Sequence, residues 1–188
     1  MMNKQKTLLA VTLVATLAVS ARAAVIISAN EVGPDVVFSY NGSIDLTGNT
    51  GFTDHVTPVM RIDPSGSTQI VALSAPNYTA YDMVISGPAT FGTGGQTDAD
   101  SGTGDNFYVL PFADAVAVPI GYTSGDPLSG SITFDNTDLA TLGVNTGTHA
   151  WTLPNDTITL NVVPEPATYA ALFGLAALGF VCARRRRR

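Results

Sequence analysis

Basic residues are nearly absent from the long central part of this 188-residue sequence. Between residues 24 and 163, Arg61 is the only basic side chain, lysine does not occur, and 14 acidic residues bring the net charge to −13. A surface of this sign repels nucleic acids and anionic membranes, so both are excluded as partners of this region. The same charge attracts cations, divalent ions in particular, and it also serves to keep an exported protein soluble.

Cysteine and histidine are almost as scarce. The one cysteine, Cys182, lies in a C-terminal apolar stretch, so the central region cannot form an internal disulfide. That region is long enough to bury a hydrophobic core without cross-links. His55 and His149 are the only histidines, and neither belongs to a spaced metal-binding pattern such as H-E-x-x-H. No G-x-S-x-G nucleophile motif is present, and we therefore predict a protein that is not an enzyme.

The first 23 residues have the organisation of a cleavable signal peptide. Lys4 and Lys6 precede an apolar run at residues 8–19, which is too short to span a bilayer comfortably. Ala21 and Ala23 place small side chains at the −3 and −1 positions, so signal peptidase is expected to cut between Ala23 and Ala24. The sequence therefore predicts export, with a mature chain that begins at Ala24.

The last 27 residues, 162–188, combine an extended acidic motif, an apolar segment and a basic end. The uncharged residues 167–183 would cover about 26 Å as a helix, which is enough to cross the hydrocarbon core of a bilayer. Positive residues stay in the cytoplasm, so the domain before this helix is predicted to lie outside. The residues that form this cytoplasmic stop are Arg184, Arg185, Arg186, Arg187 and Arg188. Pro164 and Pro166 favour extended backbone and hold Glu165 just outside the membrane, where another protein can recognise it.

Val163-Pro164-Glu165-Pro166, followed by a short apolar helix and terminal arginines, resembles the PEP-CTERM sorting signal of exopolysaccharide-producing Gram-negative bacteria. The resemblance implies processing near the motif by an exosortase, a membrane-embedded cysteine transpeptidase-like enzyme. It also implies a transient stay in the inner membrane, followed by a place in the cell envelope, on the cell surface or outside the cell. The tail would then be a substrate, with Val163, Pro164, Glu165 and Pro166 as its recognition motif.

The region between the two ends, residues 24–161, has the pattern of a single domain of strands and turns. Apolar and polar residues alternate around Ile132 and Phe134 and again around Ile158, Leu160 and Val162. Further strands are predicted at residues 25–28, 35–40, 43–47, 69–73, 81–86, 106–112, 115–120 and 148–153, with one helical turn at 137–142. About ten short strands separated by Gly, Pro and Asn turns predict an all-β, antiparallel β-sandwich of jelly-roll type.

One hairpin is predicted in detail. Asn41-Gly42 is the strongest two-residue turn signal, because both residues adopt positive φ at low cost. Such a turn would pair residues 37–40 with 43–46. It would leave Phe38 and Tyr40 on a second face, either as an aromatic strip for sugars or beneath a neighbouring loop. Trp151, the only tryptophan, is assigned to the core.

The central region also resembles a recurrent ectodomain that accompanies PEP-CTERM tails. The resemblance covers nearly all of residues 25–161 and rests on the segments EVGPDVV, NGSIDLTG, ISGPATFG, GTGDNF, VPIGYTSGDPLSGSITF and LATLGVNTGTHAW. That ectodomain is β-rich and has no assigned biochemical activity. The resemblance therefore supports the fold and leaves the ligand open.

The best candidate site within the domain is the loop at residues 93–106. Asp98, Asp100, Asp105 and Asn106 offer oxygen ligands on a glycine-rich loop, which is the donor type that calcium prefers. The spacing departs from that of an EF-hand, because Gly102 stands at a ligand position and Val109 replaces the terminal glutamate. A calcium site is one interpretation of this loop, and an ordinary polar loop is the other.

Three functions follow as hypotheses. The first is a non-enzymatic cell-surface or matrix protein that exosortase sorts and that associates with exopolysaccharide in a biofilm. The second is a carbohydrate-binding or calcium-dependent adhesive module that carries the same tail. The third is ice binding. Ice binding needs a regularly repeated array of threonines, whereas the segment Thr157-Ile158-Thr159 occurs only once in the sequence.

Overall fold

The computed structural model describes residues 24–163 and, within the tail, residues 174, 177, 180 and 184. Residues 24–163 contain thirteen strands and one 3₁₀ turn at Pro111–Ala113. The strands are β1 (Ala24–Val32), β2 (Asp35–Gly42), β3 (Gly51–His55), β4 (Val59–Asp63), β5 (Gln69–Leu73), β6 (Asn77–Asp82), β7 (Thr97–Asp98), β8 (Ser101–Gly104), β9 (Phe107–Leu110), β10 (Ala115–Pro119), β11 (Leu128–Phe134), β12 (Gly147–Thr152) and β13 (Thr157–Val163).

Two sheets account for all of these strands, which confirms the predicted all-β class. Sheet A has the order β12-β13-β1-β2-β11-β8, and sheet B has the order β3-β6-β10-β9-β5-β4-β7. Every pairing is antiparallel except that of β1 with β13. The two sheets contain six and seven strands, whereas a jelly roll has eight strands in total, so the predicted jelly-roll form is not observed. The parallel pair also departs from the purely antiparallel pattern that was predicted.

The inner faces of the two sheets enclose the main hydrophobic core. Phe38 of sheet A and Phe107 of sheet B are both fully buried in it, and the rings of Tyr40 and Phe107 are 5.1 Å apart across the core. Trp151 is also fully buried, as predicted, and its indole N–H donates to the Pro88 carbonyl oxygen at 3.1 Å. The alternating pattern of apolar residues along β1, β2 and β13 places every second side chain in this core.

The predicted hairpin at Asn41-Gly42 is wrong, because β2 turns back at its other end. Gly33 has φ +65 and precedes proline, which suits the two-residue turn that joins β1 to β2 between Val32 and Asp35. Gly42 lies within the sheet between β1 and β11, opposite Val25 and Leu128. After Gly42 the chain leaves the sheet as a loop whose buried residues Ile44 and Leu46 pack into the core.

The parallel pair places the two ends of the domain at opposite ends of sheet A. Ala24 lies beside Thr157 and Asn30 lies beside Val163. At about 3.3 Å per residue, the start of β1 and the end of β13 are therefore roughly 20 Å apart. The outgoing tail leaves from the end of the sheet that carries the β1–β2 turn.

The outer face of sheet A is polar and carries few charges. One register row crosses all six strands and consists of Thr148, Asn161, Ser28, Ser39, Ser131 and Thr103. Within this row Thr148 donates to Asn161 at 2.9 Å, and the hydroxyl oxygens of Thr103 and Ser131 are 3.4 Å apart. The next row contains Ile26 and Asn41, so the array is mixed in composition.

The predicted segments outside the domain are only partly within the described residues. The signal peptide at residues 1–23, with Ala21 and Ala23, lies outside them, while Ala24 is the first residue of β1. Within the tail, residues 174, 177, 180 and 184 are helical and the rest of 164–188 lies outside the described residues. In the described part of the chain, no helix has the length and hydropathy needed to cross a membrane.

Candidate functional site

The outer face of sheet B carries a groove that the sequence did not reveal. It has a volume of about 550 Å³ and lies between the sheet and residues 56–58, which connect β3 to β4. Its floor belongs to a second apolar cluster, distinct from the main core, that includes Val71, Leu73, Tyr78 and Tyr108. The volume is within the range of pockets that hold small molecules.

Two tyrosines form the aromatic end of the groove. The rings of Tyr78 and Tyr108 meet edge to face with their centroids 5.5 Å apart, a favourable arrangement for aromatic pairs. The Tyr78 hydroxyl donates to Oδ2 of Asp54 at 3.0 Å, which holds its ring in place. Burial raises the pKa of both tyrosines, and the hydrogen bond to Asp54 raises that of Tyr78 further. Both phenols therefore stay neutral, and their hydroxyls remain hydrogen-bond donors at physiological pH.

The opposite end of the groove is polar. Asp98 of β7 lies beside Arg61 of β4, and the same register row continues through Val71 to Tyr108. Nε of Arg61 lies 3.2 Å from Oδ1 of Asp98, so the two side chains form an ion pair. The geometry of that contact is not that of a hydrogen bond, and the buried Nε has no hydrogen-bond partner among the described residues. Gln69 completes this end, which as a whole carries no net charge.

The predicted aromatic strip does not exist as a surface. Phe38 is fully buried and Tyr40 is 3% exposed, because the inner face of β2 points toward sheet B. Phe38 packs edge to face on Phe134 at 5.8 Å, and the Tyr40 hydroxyl donates to the carbonyl oxygen of Asp105. The assignment of Phe38 and Tyr40 to a ligand surface is therefore wrong, and both residues belong to the core.

The predicted calcium ligands have separate structural partners. Asp98 pairs with Arg61, Asp100 accepts a hydrogen bond from the backbone of Asp135, and Asp105 accepts one from the backbone of Ser129. The extended strand β8 lies between Asp100 and Asp105 and keeps their Cα atoms roughly 15 Å apart.

Asn106 is buried and has a structural role of its own. Its amide exchanges two hydrogen bonds with the backbone of Ala75 and donates a third to Asn77. Within residues 24–163, no group of three or more acidic, histidine or cysteine side chains is arranged to hold a metal ion. The structure therefore does not bring the four predicted ligands together, because the loop that carries them is drawn into both sheets as β7 and β8.

The last strand of the domain leads directly into the C-terminal motif. β13 is paired with β12 on one side and β1 on the other. Val162 is buried and Val163 is 49% exposed, so the sheet extends two residues beyond the predicted domain boundary at 161. Pro164 follows Val163 immediately, which leaves no linker between the sheet and the motif.

Comparison with known families assigns this C-terminal segment. Residues 162–187 match the family described as the PEP-CTERM protein-sorting motif. This chain carries a PEP-CTERM sorting motif. The match confirms the resemblance noted in the sequence and indicates exosortase-dependent sorting toward the cell surface, with exosortase as the processing partner. Curated proteins and solved structures yield no significant match to the chain.

Two residues of the PEP-CTERM segment lie in the described domain. Val162 and Val163 belong both to the matched segment and to β13. Pro164, Glu165 and Pro166 lie outside the described residues, as do Arg185, Arg186, Arg187 and Arg188, while Arg184 is helical. The domain thus presents the start of the PEP-CTERM motif at the end of a strand that is held on both sides.

Proposed function

We propose that this PEP-CTERM protein is a non-enzymatic component of the bacterial cell surface or extracellular matrix, associated with exopolysaccharide in a biofilm. Signal peptidase removes residues 1–23, the tail halts in the inner membrane of a Gram-negative cell, and exosortase then processes the protein near Pro164-Glu165-Pro166. The observation that carries this proposal is the sorting motif at residues 162–187.

Cuts at the two proposed sites would leave the described domain whole. All thirteen described strands lie within residues 24–163, so a cut before Ala24 or after Val163 removes none of them. β1 and β13 are both internal strands of sheet A. A cut inside β13 would expose core residues such as Leu160 and Val162.

A charge-neutral substitution in the motif tests the sorting step. We expect Glu165→Gln to accumulate in the inner-membrane fraction with an uncut tail, since the substitution removes the one acidic group of the motif. Glu31→Gln is the matched control, because Glu31 is the only other glutamate and its Oε1 accepts a hydrogen bond from the Leu139 backbone that an amide oxygen can also accept. The measurement is immunoblotting of separated inner-membrane, surface and exopolysaccharide fractions, with an exosortase-deletion strain alongside.

Two results would contradict this proposal. One is equal distribution of the wild type and the Glu165→Gln variant across the fractions. The other is a wild-type distribution that does not change when exosortase is deleted. Release of the wild-type protein from the exopolysaccharide fraction by a low-salt wash would contradict the matrix association alone.

Carbohydrate binding is the second candidate function, and the groove on sheet B favours it. A calcium-dependent version has less support, because Asp98, Asp100, Asp105 and Asn106 are each engaged elsewhere. Ice binding would use the outer face of sheet A, where the six-strand row contains only two threonines. We expect that mixed row to give no thermal hysteresis.

A further inference from the structure

We propose that the groove on the outer face of sheet B binds a neutral saccharide, as one or two sugar units of an uncharged polymer. This inference deepens the proposed association with exopolysaccharide by naming the site and the ligand class, and it rests on that proposal.

Charge selects a neutral ligand. The domain has a net charge of −13 between residues 24 and 163, so its overall field repels anionic sugars and nucleotides. Arg61 is its only cation, and Asp98 already neutralises that guanidinium at 3.2 Å. An anionic ligand would have to compete with Asp98 and would find no second positive charge. A neutral ligand meets neither penalty.

The two ends of the groove match the two kinds of surface on a sugar ring. Val71, Leu73 and Leu110 offer an apolar floor beside the Tyr78–Tyr108 pair, against which the C–H face of a pyranose can pack. Arg61, Gln69 and Asp98 stand together at the other end as planar donors and acceptors for neighbouring hydroxyl groups.

Unused hydrogen-bonding capacity at the aromatic end of the groove supports the same ligand. The Tyr108 hydroxyl has no hydrogen bond to another described residue, whereas that of Tyr78 is held by Asp54. A purely aliphatic occupant would leave this donor unmet, whereas a hydroxyl oxygen of a saccharide can accept from it.

The test uses the full chain, solubilised in mild detergent, and isothermal titration calorimetry. The probes are neutral hexasaccharides of glucose, galactose, mannose and N-acetylglucosamine, a hexauronate as the anionic probe, and spermidine as the cationic probe. Gln69→Ala removes one polar group of the groove, and Tyr108→Phe removes one hydroxyl while keeping the ring. Gln96→Ala and Tyr81→Phe are the matched controls, since both residues lie outside the groove lining. Circular dichroism melting of each variant verifies that it is folded.

We expect at least one neutral hexasaccharide to bind, with Kd nearly unchanged between 0.05 and 0.5 M NaCl because no ion pair is formed with the ligand. Gln69→Ala and Tyr108→Phe should each weaken that binding about fivefold, the effect of one lost hydrogen bond, while the controls bind like wild type. Three results overturn the inference: none of the neutral probes binds, the groove variants bind like the controls, or the hexauronate or spermidine binds more tightly than every neutral probe. None of them would alter the outcome of the Glu165→Gln sorting assay, so the two proposals fail separately.

Discussion

Replacement of Phe38 by alanine distinguishes a core position from a ligand surface. The Phe38 side chain is fully buried between the sheets and packs edge to face on Phe134. Its removal would leave a cavity that the surrounding strands fill poorly, because the hydrogen bonds of β2 to β1 and β11 hold the backbone in place.

The expected cost follows from the loss of a buried phenyl ring. Buried Phe→Ala substitutions lower the free energy of unfolding by about 3–5 kcal/mol. Of this, about 0.5–1.5 kcal/mol comes from the loss of an aromatic pair such as that with Phe134. A loss of this size is a large fraction of the stability of an ordinary domain.

Urea unfolding, followed by tryptophan fluorescence, measures this cost directly. Trp151 is the only tryptophan of the chain and is fully buried, so its emission reports the loss of the core. We expect Phe38→Ala to lower the urea midpoint by about 2 M. Phe52→Ala is the control, because Phe52 is 48% exposed on the edge strand β3 and should change the free energy of unfolding by less than about 1 kcal/mol. If Phe38→Ala costs no more than Phe52→Ala, the position of Phe38 in the core is refuted.

Three further substitutions test other parts of the fold. Asn106→Ala removes three hydrogen bonds to the backbone of residues 75 and 77 and should cost about 2–4 kcal/mol in urea unfolding. The cost should be equal in millimolar calcium and in EDTA, and a loss confined to calcium would restore the calcium-site hypothesis. Gly42→Ala places a Cβ 1.9 Å from the carbonyl oxygen of Ala24 and should destabilise by at least about 2 kcal/mol. Gly121→Ala, also at positive φ but with no neighbour within 4 Å, is its control and should cost clearly less. For Asp63, hydrogen bonds from the backbone of Gly66 and Ser67 outweigh the opposing effect of burial and hold its pKa below the usual value. That stabilisation is present above about pH 4 and is lost as the pH falls through the lowered pKa. Asp63→Asn should flatten this part of the melting-temperature profile against pH, and an unchanged profile would contradict the assignment.

Local patterns in the sequence predicted several strands. The alternation around Ile158, Leu160 and Val162 marks β13, because a period of two places one face in the core and needs no knowledge of the partner strand. Residues 69–73 form β5 at the predicted bounds, but four of its five residues are buried, so its signal is an apolar run and not alternation. The short strands β7 and β8 were missed because their sequences, Thr-Asp and Ser-Gly-Thr-Gly, contain no apolar side chain. Only pairing with Arg61 and Ile62 of β4 and with β11 makes them strands.

Pairing between segments that are far apart in the chain could not be predicted from local sequence patterns. Asn41-Gly42 has the local chemistry of a tight turn, yet the close approach of the Ala24 carbonyl gives a different reason for glycine at position 42. The parallel contact of β1 with β13 joins residues more than 120 positions apart, and no local pattern encodes it. The helical turn predicted at residues 137–142 is present only as a turn in which the Leu142 N–H donates to the Asp138 carbonyl at 3.1 Å.

The two candidate sites differ in how far the sequence alone could identify them. The sorting motif is contiguous and ordered along the chain, so the sequence alone identified it. The groove draws Arg61, Gln69, Tyr108 and Asp98 from four different strands, and only the register of sheet B brings them together. Its one signal in the sequence was that Arg61 is the only basic residue of an acidic domain.

The central claim, exosortase-dependent sorting, is tested most directly by the intact mass of the mature protein. The protein would be purified from the surface fraction of exosortase-positive cells and from the envelope of an exosortase-deletion strain. We predict a mature chain that begins at Ala24 and ends at or shortly after Val163 in the first strain, and a chain that keeps its C-terminal arginines in the second. An intact C-terminus at Arg188 in both strains would contradict the account and leave the tail as a plain membrane anchor.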